Sequence, residues 1–199
     1  MPLPFNLDRS KVKSELREWL EAIVIALIMA LVIRAFVVQA FKIPSGSMYP
    51  TLKIGDRLFV NKFIYHFRDP QRWDIIVFKY PEDPSKDFIK RLIGLPGETI
   101  EIRNGSLFVN GIKQTLPNEI VGNVYYNTEE GDYGAINQKI VVPPDHYYVL
   151  GDNSGNSRDS RMWGFVSKKE LVGRAFVRWW PPQRIGTLDR VFPKDREST

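Results

Sequence analysis

Ile43-Pro44-Ser45-Gly46-Ser47-Met48-Tyr49-Pro50-Thr51-Leu52 is the stretch around which the chain divides. An apolar segment with helical character precedes it, and short β-type runs follow it. Gly46 permits backbone angles that few residues tolerate. Pro44 and Pro50 each fix one angle and bias the preceding residue toward extended geometry. Such a turn can hold a hydroxyl in one place, although an inert serine turn has the same composition. A serine hydroxyl is a poor nucleophile near neutral pH and needs a base. The chain has two histidines, His66 and His146, so a Ser-His-Asp relay has few candidates. A lysine is the alternative. Its usual pKa of about 10.4 falls by several units on burial.

The 199 residues suit one domain, or one domain with a large insertion. An apolar share of 43% is enough for a sizeable core. With 28 basic and 23 acidic residues the formal charge is +5, a mild excess that does not point to nucleic acid. The absence of cysteine excludes disulfides and thiolate metal sites. Neither a metal nor another cofactor is expected.

Residues 1–18 are polar and carry Arg9, Lys11, Lys13 and Arg17. An unbroken apolar run follows from Ala22 to Ile33; Arg34 interrupts it, and Ala35 to Phe41 resumes it. Residues 19–41 as one helix would span about 34 Å, enough to cross a bilayer. The expectation is one transmembrane anchor over 19–41 behind a cytoplasmic tail of residues 1–18. Basic residues before the helix put the N-terminus in the cytoplasm and the rest of the chain outside. A cleavable signal peptide is the rival reading, but Val38-Gln39-Ala40 is a poor small-x-small site.

Beyond Phe41, Arg57–Lys62 and Asp74–Lys79 read as short strands bounded by turn residues. Thr99–Arg103 and Ser106–Val109, joined by Asn104-Gly105, form a strong hairpin signal. Lys139–Val142, His146–Leu150 and Gly173–Trp180 read as further strands, the last stopped by Pro181-Pro182. The fold class is mainly β, and Asn110 to Asn137, rich in Gly, Asn and acidic residues, reads as an inserted or looped region. Residues 185–199 read as a polar, frayed tail. Trp179 and Trp180 could sit at a membrane interface or in the core.

Two downstream segments bear on the serine turn. In Asp87-Phe88-Ile89-Lys90-Arg91-Leu92-Ile93, strand alternation places Lys90 between Phe88 and Leu92 on one face. Arg91 then points the other way. An inward Lys90 would be desolvated; an ordinary snorkelling lysine shows the same pattern. Gly151 to Arg161 is dense in Gly, Asn, Asp and Ser and reads as a loop whose side chains bond its own backbone. It lacks the ligand spacing of a calcium loop.

Four motifs in this order closely resemble the type I signal peptidases over most of residues 19–180. They are Pro-Ser-Gly-Ser-Met-x-Pro-Thr-Leu at 44–52, Gly-Asp-Arg-Leu-Phe-Val-Asn-Lys at 55–62, Lys-Arg-Leu-Ile-Gly-Leu-Pro-Gly-Glu at 90–98, and Gly-Asp-Asn-x-x-Asn-Ser-x-Asp-Ser-Arg at 151–161. The resemblance implies a Ser–Lys dyad, with Ser47 as nucleophile and Lys90 as general base. Ser45 would lend its hydroxyl to the oxyanion hole, and Ser157 would hydrogen-bond and orient the lysine. Arg91, Asp152, Asp159 and Arg161 would form bracing ion pairs. The implied fold is an antiparallel β catalytic core, here over 42–103 and 138–184, with an inserted smaller lobe or loops over 104–137. The implied substrates are signal peptides of exported preproteins with small residues before the cut. The implied location is a plasma or thylakoid membrane, in contact with lipid. Ser154-Gly155 stands where the family usually has charged or larger polar residues, which leaves any bracing contact there in doubt. Two other readings stay open: an anchored, non-catalytic β-domain that binds exported chains, and a self-cleaving Ser–Lys protease of related fold.

Overall fold

The computed structural model describes residues 9–32, 38–129 and 131–188. It divides into two compact units, with the boundary between Val38 and Gln39. The first contains helix α1 (Arg9–Val32), 24 residues long. Arg17 pairs with Glu21 one turn on, at 2.8 Å. From Trp19 onward, Trp19, Leu20, Ile23, Val24, Ile25, Leu27, Ile28 and Met29 are all at least half exposed.

The expected anchor over 19–41 is corrected at its C-terminal end, where residues 38–41 are strand. Among the described residues no helix is long and apolar enough to cross a membrane. The apolar part of α1, Trp19–Val32, is about 21 Å long, against a hydrocarbon core of about 30 Å. Residues 33–37 of the expected span lie outside the described residues. Its end is strand β1 (Val38–Lys42), hydrogen-bonded to β2 (Arg57–Asn61). Phe41 therefore packs on a sheet rather than extending a helix. Helix α1 also begins within the expected tail, whose residues 1–8 are not described.

The second unit is antiparallel β. Its further strands are β3 (Ile75–Tyr80), β4 (Asp83–Gly94), β5 (Thr99–Arg103), β6 (Ser106–Val109), β7 (Ile112–Lys113), β8 (Lys139–Val141), β9 (His146–Leu150), β10 (Val166–Ser167), β11 (Leu171–Trp180) and β12 (Gly186–Thr187). One sheet has the order β1-β2-β11-β3-β4-β9-β10, with β12 paired to β11; the other is β7-β6-β5-β8. This unit also contains two one-turn α-helices among the described residues, α2 (Ile64–Phe67) and α3 (Ser160–Trp163), and short 3-10 turns.

Strand β3 shows why the larger sheet forms. Its run Ile75-Ile76-Val77-Phe78 is buried at every position, as a central strand covered on both faces requires. Ile75 and Val77 join Ile43, Met48, Leu52, Leu58, Val60 and Ala175 on one face. Ile76 and Phe78 join Leu92, Tyr147, Val149 and Val166 on the other. The smaller sheet turns on Asn104-Gly105, both with positive φ (49° and 74°), as a type I′ hairpin needs.

The strands assign the lobe differently from the 104–137 boundaries. Strand β5 pairs with both β6 and β8, so Thr99–Arg103 and Lys139–Val141 belong to the smaller sheet. Asn110-Gly111 forms a second positive-φ turn into β7, within the region expected to be loop. The polar tail is likewise shorter than expected. Strand β12 pairs with Val177 and Arg178, and Leu188 is buried in the core. The rest of the tail, residues 189–199, is not described.

Candidate active site

The serine turn is held from below by its own apolar residues. Met48 and Leu52 are completely buried between Ile43 and strands β2, β3 and β11. The amide of Leu52 donates to the Met48 carbonyl at 2.8 Å, and that of Tyr49 to the Gly46 carbonyl at 3.1 Å. Met48 thus pins the backbone at the point where Ser47 begins. From the other side, the Asn153 amide donates to the Ser47 carbonyl at 3.0 Å, and its Nδ2 donates to the Gly46 carbonyl at 3.1 Å. Both peptide planes beside Ser47 are therefore oriented by the 151–161 loop.

Strand β4 delivers the lysine. Its register against β3 pairs Ile76 with Lys90 and Ile75 with Arg91. Lys90 is 4% exposed, and its Nζ lies 2.9 Å from Ser47 Oγ and 3.1 Å from the Ile89 carbonyl. Burial lowers its pKa from 10.5 to about 8, while Asp159 and Asp152 pull it back upward. About a tenth of the amine is therefore neutral at pH 7 and about half at pH 8, within proton-transfer reach of one hydroxyl. Ser45 Oγ is 3.4 Å from Ser47 Oγ.

The four expected charged residues are buried as two separate pairs. Arg91 donates Nε to Asp152 Oδ1 and Nη2 to Oδ2, both at 2.7 Å. Thr51 Oγ1 sits between them, accepting from Arg91 at 3.1 Å and donating to Asp152 at 2.5 Å. Burial works against the Arg91 charge, yet Asp152 holds its pKa above the ordinary arginine value. Arg161 binds Asp159 in the same two-pronged way, at 2.8 Å for each prong. Asp159 also accepts the Gly151 amide at 3.0 Å, which ties this pair to the start of the loop. Ser154, where a bracing contact was in doubt, gives Arg161 both its hydroxyl (2.9 Å) and its carbonyl (2.8 Å) as acceptors.

Ser157 departs from expectation. Its Oγ is buried without a hydrogen-bond partner, and no bond joins it to Lys90. It packs instead against Gly151. A Cβ built on Gly151 would lie 2.1 Å from Ser157 Oγ and 2.5 Å from the Ser47 carbonyl oxygen.

Ser47 and Lys90 open into a groove of about 440 Å³, walled by Ser45, Gly46, Asp87, Phe88, Ile89, Asn156 and Arg158. A small adjoining pocket of about 30 Å³ lies between Phe41, Ile43, Val77 and Ile89. Among the described residues no cluster of His, Asp or Glu could hold a metal ion.

The same chain matches, over residues 16–180, a family model described as signal peptidase, peptidase S26. The chain belongs to this signal peptidase family. With that, the expectation of a serine peptidase is met. A probable signal peptidase I-2 of Synechocystis is 47% identical over 179 residues, covering 85% of this chain and 77% of that protein. A signal peptidase I of Leptolyngbya laminosa is 45% identical, covering 91% and 88%. The signal peptidase I of Pseudomonas aeruginosa is 33% identical, covering 94% and 81%. A crystal structure of a signal peptidase I from Enterococcus faecalis is 36% identical, covers 54% of this chain and 97% of that one, and has a TM-score of 0.42.

In this signal peptidase family member, the sequence reading missed two positioning residues, Asn153 and Thr51. Both lie inside the matching motifs, and both are polar residues in otherwise turn-like or apolar surroundings. That was the available signal. The close approach at Gly151 leads to a prediction. Gly151→Ala pushes either Ser157 or the Ser47 peptide away, and a displacement of about 1 Å at a reacting group can cost about 100-fold in rate. We expect a kcat loss of that order with an unchanged far-UV circular dichroism spectrum. A variant with wild-type kcat would show that the contact does not position Ser47.

Proposed function

We propose that this chain is a membrane-held serine endopeptidase that removes signal peptides from exported preproteins, with Ser47 as nucleophile and Lys90 as general base. The observation that carries the proposal is the buried Lys90 amine 2.9 Å from the Ser47 hydroxyl. Neutral Lys90 accepts the hydroxyl proton as Ser47 Oγ attacks the scissile carbonyl carbon. The negative oxygen of the tetrahedral intermediate is met by the Ser47 amide and the Ser45 hydroxyl. Its collapse breaks the C–N bond, and the Lys90 ammonium gives the proton to the leaving amine. Water, deprotonated by Lys90, then releases the acyl group from Ser47. Arg91–Asp152 and Asp159–Arg161 brace this arrangement, and Ser157 supports it by packing on Gly151.

The approximately 30 Å³ pocket between Phe41, Ile43, Val77 and Ile89 supports a preference for a small side chain such as alanine before the cut. The half-exposed apolar side chains of α1 support contact with lipid. Basic residues Arg9, Lys11, Lys13 and Arg17 support a cytoplasmic N-terminus, with the β unit on the outer face.

The test is a pH profile of single-site cleavage of a preprotein with alanines before the cut. The active form is the neutral amine, so kcat/KM should rise with pH through an apparent pKa of about 8 and level off above it. A profile centred near 6.5 would assign the base to a histidine instead. Binding of the preprotein without cleavage would favour the non-catalytic β-domain.

A further inference from the structure

The two sides of the groove differ in charge. On the β4 side, Asp87 is engaged by Lys79 of β3 at 2.8 Å. On the loop side stands Arg158, whose side chain is 58% exposed. Among the described residues its one hydrogen bond runs from Nη2 to Glu82 Oε2, at 2.8 Å. A guanidinium has five N–H donors in a planar fork suited to a carboxylate, so most of this fork is uncommitted, on a residue that lines the groove. Packing holds the head group behind Phe88 of the groove wall. It lies 5.9 Å from the Tyr80 ring centroid, and that ring stacks on Phe88 at 4.3 Å and meets Trp163 edge-on. Tyr80 Oη also donates to Glu82, which holds the carboxylate that Arg158 grips. Both partners of the Arg158–Glu82 pair are more than half exposed, and such pairs contribute little to stability. A carboxylate arriving in the groove can therefore displace Glu82 at small cost.

We propose that Arg158 is a specificity-determining residue that reads an acidic side chain close to the scissile bond, with Glu82 as the resident carboxylate the substrate replaces. An extended peptide presents successive side chains to opposite sides, so the preference belongs to one position and not to its neighbours. This rests on the endopeptidase reading above. It adds to the small-residue preference a charge preference on the opposite side of the groove.

The experiment places Glu, Gln or Lys in turn at each of the three positions on either side of the cut in an otherwise neutral preprotein. It measures the ratio of kcat/KM for Glu over Lys in the full-length chain. Wild type should favour Glu by about tenfold at one position, in line with a single charge-assisted contact, with Gln between. Arg158→Glu should invert the ratio at that same position. Glu82→Gln, which removes the competitor, should raise it several-fold. The wild-type preference should weaken as salt is added. If the ratio is unchanged in Arg158→Glu at every position, the proposal fails. It also fails if that variant slows Glu, Gln and Lys substrates alike, since that marks a structural role. Cleavage of the neutral parent by wild type is read separately. Its absence would overturn the endopeptidase reading rather than the assignment of Arg158.

Discussion

Replacing Lys90 by methionine is expected to lower preprotein cleavage by about 10²- to 10⁴-fold, the usual contribution of a positioned general base. Ser47→Ala should lose more, on the order of 10⁶-fold, because no covalent intermediate can then form. The pair should be non-additive: Ser47→Ala/Lys90→Met should be no worse than Ser47→Ala alone, as for groups acting in one step. The lysine variant also carries a second signature, which separates lost chemistry from lost folding. The folded-state pKa of Lys90, about 8, lies below its unfolded value of about 10.4. Between these values the unfolded chain holds more protons, so the lysine makes stability rise with pH from about 8 to 10.4. Below pH 8 both states are protonated, and the folded state bears the whole cost of the buried charge. That cost has an upper bound of about 3 kcal/mol at neutral pH. It is offset in part by the bonds to Ser47 and the Ile89 carbonyl. Lys90→Met should therefore melt a few degrees higher than wild type at pH 7 while being nearly inactive. An inactive variant that melts lower would point to a lysine needed for the fold.

The largest stability effect is expected at Arg91–Asp152. Their side chains are 2% and 0% exposed, and the Arg91 Nη1 donates to the Trp73 carbonyl at 3.1 Å. Asp152→Ala strands a buried guanidinium, and breaking such a pair costs about 3–5 kcal/mol. That is a large fraction of the 5–15 kcal/mol a folded domain usually has. The urea midpoint should fall by about 1–2 M. Activity at low temperature should fall as well, because the Asn153 bonds to Gly46 and Ser47 begin at the next residue. Arg91→Met/Asp152→Ala should recover much of the stability, since no charge is then left unpaired. If the double variant is no more stable than Asp152→Ala alone, the lost pair, and not the stranded charge, accounts for the loss.

Local chemistry made much of this legible in the chain. The Asn104-Gly105 hairpin follows from two positive-φ residues between alternating strands. The strand character of residues 87–93 follows from their alternation. Arg91 does point away from Lys90, yet both are buried, because β4 lies between β3 and β9 with both of its faces covered. Alternation tells which residues share a face; it does not tell how many faces are covered. The apolar run toward Phe41 misled for a related reason. Composition reports hydrophobicity, while the strand that begins at Val38 depends on the edge of β2 that receives it.

The sequence by itself determined the β character, the hairpin, the serine turn and the motifs that identify the family, because each rests on residues within a few positions of one another. Only the tertiary structure decided that Lys90 meets Ser47 across 43 residues, that the four charges divide into two pairs, and that Ser157 packs on Gly151 without reaching the lysine. Those outcomes depend on which surfaces exclude water. That is a property of strands layered from distant parts of the chain, and it is what brings the amine close to neutrality.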